Sequence, residues 1–403
     1  MRKVSAFLFL VLPALVSGQP QSLAKRQPAM VPPGYFASLN ATPKHMATNR
    51  LSASTNAAAQ VGSPRIVSVP NFTQSFSYGG SSYSYTMVGR APGANQTTTV
   101  PTSYLPVSLY FDEFVDQNGN NITIDATTVT NEIRRSPLFD NAEYATGTTQ
   151  FVDAQMRDEF WPQINRRNDN FHVLVSPPQQ LTPVTIEVPV GSSEVYQLPD
   201  GSYFALIDFN FLISQMNTLW QTEPITVDSI PIFLTRNAVF GDFVSQAPVD
   251  CCIGGFHTAF ETNQVGNRVF VQTAIFATSL DPDVADGIFA DPAVFSDINA
   301  LSHEVAETLN DPFTNNVTPA YQLPGAPSGT CQNDLEVGDV VENLMPDYTE
   351  VSLHGYTYHP QTLGLLEWFE GMQPSNAFHG AYSFPDTTKL TTPFTPCGIQ
   401  PVG

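Results

Sequence analysis

Apolar and polar positions alternate in short runs through the first half of the chain, the rhythm of strands with one face buried. The runs are RIVSVP (65–70), SYSYTMVG (82–89), TTTVPTSYLPVSLYFDEF (97–114), FHVLVS (171–176), VTIEVPV (184–190) and YFALIDFNF (203–211). VTNEIRRSPLF (129–139) and TQFVDAQMRDEFWPQI (149–164) interrupt them with apolar residues at helical spacing. FLISQMNTLW (211–220) predicts a short helix and SIPIFLTRNAVF (229–240) a buried strand. IGGFHTAF (253–260) and RVFVQTAIFAT (268–278) predict an antiparallel pair. Further on, Ile298, Leu301, Val305 and Leu309 form one apolar stripe of a helix, with Ser296 or Asp297 as its cap. Pro312 forces the chain out of that helix. QTLGLLEWFEG (361–371) predicts another. The whole reads as an α+β fold with a mixed sheet and a β-rich N-terminal part.

The N-terminus adds a compartment. Arg2 and Lys3 precede an apolar run from Val4 to Val16, followed by Ser17 and Gly18. This is the pattern of a secretory signal peptide, 1–18, too short for a membrane span. Residues 19–62 show no period and predict a pro-segment or flexible linker, with a dibasic site at Lys25-Arg26 and a mature start near Gln27. A single large domain is expected over 63–403. Sequons at Asn40, Asn71, Asn95, Asn121 and Asn316 fit secretion, and that at Asn316 predicts a surface loop. The formal charge of −21 argues against nucleic acid and anionic membranes as partners. In a secreted chain, Cys251, Cys252, Cys331 and Cys397 predict two disulfides. A bond between neighbours is disfavoured by the usual Cα separation, so Cys251 and Cys252 are expected to pair with Cys331 and Cys397, in an order left open.

Candidate chemistry centres on LSHEVAETLNDPF (301–313). Zinc peptidases carry His-Glu-x-x-His on a helix; here the fifth position is Glu307. His303 and Glu307 lie one helical turn apart, opposite the apolar stripe, and can share a ligand. An ordinary solvated polar face has the same spacing. A catalytic metal needs a third protein ligand. His257, Glu336 and Asp339 are the candidates, and Glu304 is the candidate general base. A core or edge-strand histidine, and solvated loop carboxylates, are the bland alternatives for these three.

CCIGGFHTAF, LSHEVAETLNDPF and EVGDVVEN occur in that order. They resemble the secreted EXORDIUM or phosphate-induced proteins of plants and related bacterial and fungal sequences. The resemblance rests on Phe256-His257, on Ser302 to Glu307 with Pro312, and on Glu336 to Asp339. Val340-Val341 stand where plant members usually have Leu-Cys. The resemblance implies a site more than a reaction, with a role at the cell wall. The expected architecture is a zincin-like core with its site in 250–342. The expected function is a secreted metal-dependent hydrolase, a Zn2+ metallopeptidase acting on protein, peptide or cell-wall material. In it, RVFVQTAIFAT would offer its backbone to an extended substrate. The competing expectation is a non-catalytic extracellular protein with a structural ion or none. No Gly-x-Ser-x-Gly elbow supports a serine hydrolase.

Overall fold

A computed structural model of the chain describes residues 25–30, 44–47, 65–67, 69–164, 170–261, 269–289 and 291–397. The signal segment, most of 19–62 and Asn40 lie outside them. The elements that frame the site are, in chain order, β1 (Lys44–Ala47), β2 (Thr102–Val115), α1 (Phe151–Glu159), β3 (Tyr203–Asp208), α2 (Phe209–Thr222), β4 (Ile230–Arg236), β5 (Ala238–Gly241), β6 (Ile253–Glu261), β7 (Val269–Ser279), α3 (Asn299–Asn310), β8 (Val317–Gln322), β9 (Cys331–Asp334) and α4 (Asp339–Glu342).

Strands β3, β5, β6, β7, β4 and β2 lie in that order within a mixed thirteen-stranded sheet, so the chain is α+β as its pattern predicts. β6 and β7 are the expected antiparallel pair. The expected single strand over 229–240 is two. Asn237 takes the left-handed conformation (φ 46°), which asparagine tolerates better than most residues, and β5 departs to pair with β3. β7 is flanked by β6 on one side and β4 on the other, so it has no edge to offer a substrate. β6 meets β5 only where Ile253 faces Phe240, and the rest of that edge is left over. There β1, a piece of the expected linker, pairs with it in parallel, Ala47 opposite His257. Ala29–Met30 likewise adds to the sheet beside 196–197.

Strand periodicity divides the side chains between two cores. Phe256 and Phe276 meet Phe209, Leu212 and Met216 of α2. Ile275 and Ala277 of β7 join Leu301, Val305 and Leu309 of α3 in the other core. His257 follows Phe256 and so falls on the α3 side.

All residues of α3 are buried, because α1 and Ser81–Val88 cover the face turned away from the sheet. Neither expected residue caps it. Ile298 occupies the N-cap, and Asp297 instead holds His359, whose Nδ1 lies 2.6 Å from Oδ2. Asp311, before Pro312, leaves the helix as expected. In place of the helix over 361–371 there is one turn, Leu366–Phe369. Leu363–Gly364 pairs instead with Ser383–Phe384.

The disulfides differ from expectation. Cys251 bonds Cys252, and Cys331 bonds Cys397 with Cα atoms 6.2 Å apart. The reason is topological. The C-terminal tail returns beside β8, with Cys397 N donating to Ala320 O, and β8 also pairs with β9, which begins at Cys331. Asn316 is also misplaced by the sequon reading, being 2 % exposed. Its Nδ2 donates to both Thr86 O and Asn310 O at 2.8 Å, tying α3 to the neighbouring hairpin.

Candidate metal centre

Three elements bring the predicted residues together. β6 supplies His257, α3 supplies His303, Glu304 and Glu307, and the turn into α4 supplies Glu336 and Asp339. No disulfide joins these segments. α3 packs directly on β6 and β7, and the backbone N–H groups of Gly338 and Asp339 donate to Glu307 Oε1 at 3.0 and 3.3 Å.

Each histidine turns one nitrogen outward and one inward. His303 Nδ1 lies 2.8 Å from Gln361 Oε1, while Gln361 Nε2 donates to Gly338 O and Gln361 N donates to Ser302 Oγ. That fixes the amide, so Nδ1 donates and Nε2 faces the cluster. Nε2 is 2.9 Å from Glu307 Oε1 and 3.5 Å from Asp339 Oδ1. His257 Nε2 donates to the carbonyl of Asp311 at 3.1 Å. Its Nδ1 then faces Glu304 Oε2 and Glu307 Oε2, each at 3.5 Å. An outer partner of this kind selects the tautomer of a metal-ligating histidine and aims its lone pair. Asp339 has such a partner as well, Gln332 Nε2, which donates to Oδ2 at 2.7 Å.

The cluster is buried and acidic. His257, His303, Glu304 and Glu307 are all 0 % exposed. Among the described residues, Glu307 Oε2, Asp339 Oδ1 and both oxygens of Glu336 have no hydrogen-bond partner. Glu336 approaches His257 Nε2 only to 3.9 Å. Carboxylates in such a place need positive charge nearby. Among the described residues none of their ion pairs is with lysine or arginine. In the metal-free chain the two imidazoles, once protonated, contribute to it. Burial pulls the His257 pKa down, but Glu304 and Glu307 outweigh it and push it up to about 10. Burial also acts downward on His303, and Glu307, Glu304 and Asp339 push it up to about 10. Burial would raise Glu307, yet the two imidazoliums hold it well below the usual carboxylate range. Burial, reinforced by Glu307, pushes Glu336 and Asp339 well up.

Two sets of three ligand-type atoms lie within 4.8 Å of one another: His257, Glu304 and Glu307, and His303, Glu307 and Asp339. Nitrogen and carboxylate oxygen donors with outer partners suit Zn2+ or a harder divalent ion. Glu336 belongs to neither set.

Two motif glycines make room for the site. A Cβ on Gly255 would stand 2.7 Å from Glu304 Oε1, and one on Gly338 would stand 2.6 Å from His303 Cγ. Their positions beside the candidate residues were the available sequence signal for these contacts. Gln361, Gln332 and the carbonyl of Asp311 carried no such signal, since a lone amide or a backbone oxygen leaves no spacing to read.

Fold and site together define an α+β protein with a buried group of histidines and carboxylates able to hold metal. No protein-family model, no curated protein and no solved structure matches the chain.

Proposed function

We propose that the chain is a secreted metal-dependent hydrolase acting on peptides, with a zincin-like arrangement of strand and helix. The observation that carries this reading is the convergence of His303 Nε2, Glu307 and Asp339 Oδ1, with Glu304 in the adjoining set that shares Glu307. His303, Glu307 and Asp339 would hold the ion. A Zn2+ there supplies Lewis acidity and acidifies water toward neutral pH. Glu304 would take a proton from the attacking water as its oxygen bonds the carbonyl carbon. It would return that proton to the nitrogen as the C–N bond breaks, giving acid and amine. The outer edge of β6, now held by β1, is where an extended peptide would add as a strand. Two disulfides, the leader-like N-terminus and the EXORDIUM resemblance support an extracellular setting.

A second reading is favoured by the enclosure. Residues with no exposed surface cannot meet a peptide without opening, and a non-catalytic extracellular protein with a structural ion needs no opening. Metal analysis, melting curves and a broad peptide-substrate screen on wild type, His303→Ala and Glu304→Gln separate the two. The hydrolase requires that Glu304→Gln keep the ion of His303, Glu307 and Asp339 and lose at least a hundredfold in rate. A wild type that binds metal and cleaves nothing establishes the structural reading, and a metal-free wild type removes both.

A further inference from the structure

We propose that the centre binds a pair of divalent cations bridged by Glu307, an inference that rests on the metal reading above and goes beyond its single ion. The geometry comes first. A ligand atom sits about 2.0–2.2 Å from zinc, so two atoms on one ion cannot be more than about 4.4 Å apart. Among the described residues, no set of three ligand atoms within 4.8 Å contains both histidines. One set holds His257 and the other His303, and Glu307 is the member they share. It shares through different atoms: Oε1 is the oxygen beside His303 Nε2, and Oε2 the oxygen beside His257 Nδ1. A carboxylate that presents one oxygen to each of two adjoining subsites is a bridge.

Donor chemistry points the same way: each set joins one imidazole nitrogen to carboxylate oxygens, the mixture that suits a divalent ion. The flanking contacts already suit each subsite: Gln361 and Gln332 steady His303 and Asp339, and the Asp311 carbonyl steadies His257. In the pair, Glu304 would hold the second ion through Oε2, beside His257 Nδ1. Paired ions about 3.5–4 Å apart are a known device for stabilising both the attacking and the departing atom in hydrolysis.

The test is stoichiometry on the purified full chain, stripped with chelator, reloaded with Zn2+ or Mn2+ and freed of excess. Two ions per chain are expected. Glu304→Gln and Asp339→Asn, both close in shape to the native residue, should each retain one, from different subsites. Mn2+-loaded wild type should give the broadened electron paramagnetic resonance spectrum of an exchange-coupled pair, and each variant the six-line spectrum of an isolated ion. One ion in wild type, still present in Glu304→Gln, overturns the pair and leaves the single-ion reading standing. Two ions without magnetic coupling overturn the Glu307 bridge. No ion at all overturns the pair together with the reading it rests on.

Discussion

Adding one methyl group at Gly338 tests whether the His303 ring is held where metal chemistry needs it. The Cβ of Gly338→Ala would stand 2.5 Å from His303 Cε1 and 2.6 Å from Cγ. Carbon atoms pack at about 3.5–4.0 Å, so the ring must retreat by about 1 Å. It has little room to do so. Nδ1 is tied at 2.8 Å to Gln361, which is tied in turn to Gly338 O and Ser302, and α3 is covered on both faces. Overpacking of this kind costs about 1–3 kcal/mol. A disturbed ligand shell costs about ten- to a hundredfold in metal affinity, about 1.4–2.7 kcal/mol more when the ion is present. Denaturant melts with Zn2+ and with chelator should therefore show a larger loss for the loaded protein than for the stripped one. The control is His303→Ala, which removes the ring that the methyl strikes. Gly338→Ala made in that background should cost about 0.5 kcal/mol or less. Equal losses in the two backgrounds would refute the reasoning, since the methyl would then be striking something other than the imidazole.

Removal of metal should also give stability a pH dependence. The His257 and His303 pKa values rise to about 10 on folding, so their contribution is complete below the ordinary histidine value of about 6.5 and is lost as pH climbs toward 10. Chelated protein should melt progressively lower across that window while loaded protein, its imidazoles neutral ligands, changes less; parallel pH profiles would contradict the proton-held cluster. Cys397→Ser opens a bridge with a sequence separation of 66, and the loop-entropy relation gives a loss of about 4 kcal/mol. Because Glu336, Asp339 and Gln361 lie inside that loop, metal affinity should fall with it, which isothermal titration with Zn2+ would measure. Asn316, with both Nδ2 hydrogens committed inside the protein, should carry no glycan in folded secreted material, and glycopeptide mapping that finds one would show this loop to be open when it is modified.

The candidate residues were legible because their spacing is local, and their surroundings were not because those are set at long range. Helical period placed His303 and Glu307 on one face of α3, but periodicity is blind to what covers a face. Burial of every α3 residue follows from α1 and the 81–88 strand, far off in sequence. Strand alternation puts His257 opposite Phe256 once the strand is known, and the antiparallel pairing of β6 with β7 was readable from two apolar runs across a polar loop. Which of the pair would be interior was not, because β4 reaches β7 from an earlier part of the chain. The cysteines misled for a related reason: partners were assigned by local geometry, whereas Cys331 meets Cys397 through the tail's return along β8. In the 361–371 stretch helical spacing was present, but strand pairing at Leu363–Gly364 and the bonds of Gln361 to Ser302, His303 and Gly338 outweighed it.

Enclosure of the centre bears on exchange as well as on affinity. An ion among side chains that show no surface cannot trade with solvent one ligand at a time. It would leave only when the packing around it opens, so its residence time would be bounded by the rate of that opening. Escape becomes a folding event, with the slow clock of local unfolding. The ion carried by the mature protein would then be the one encountered as the chain closed, recording the metal supply of the compartment where it folded.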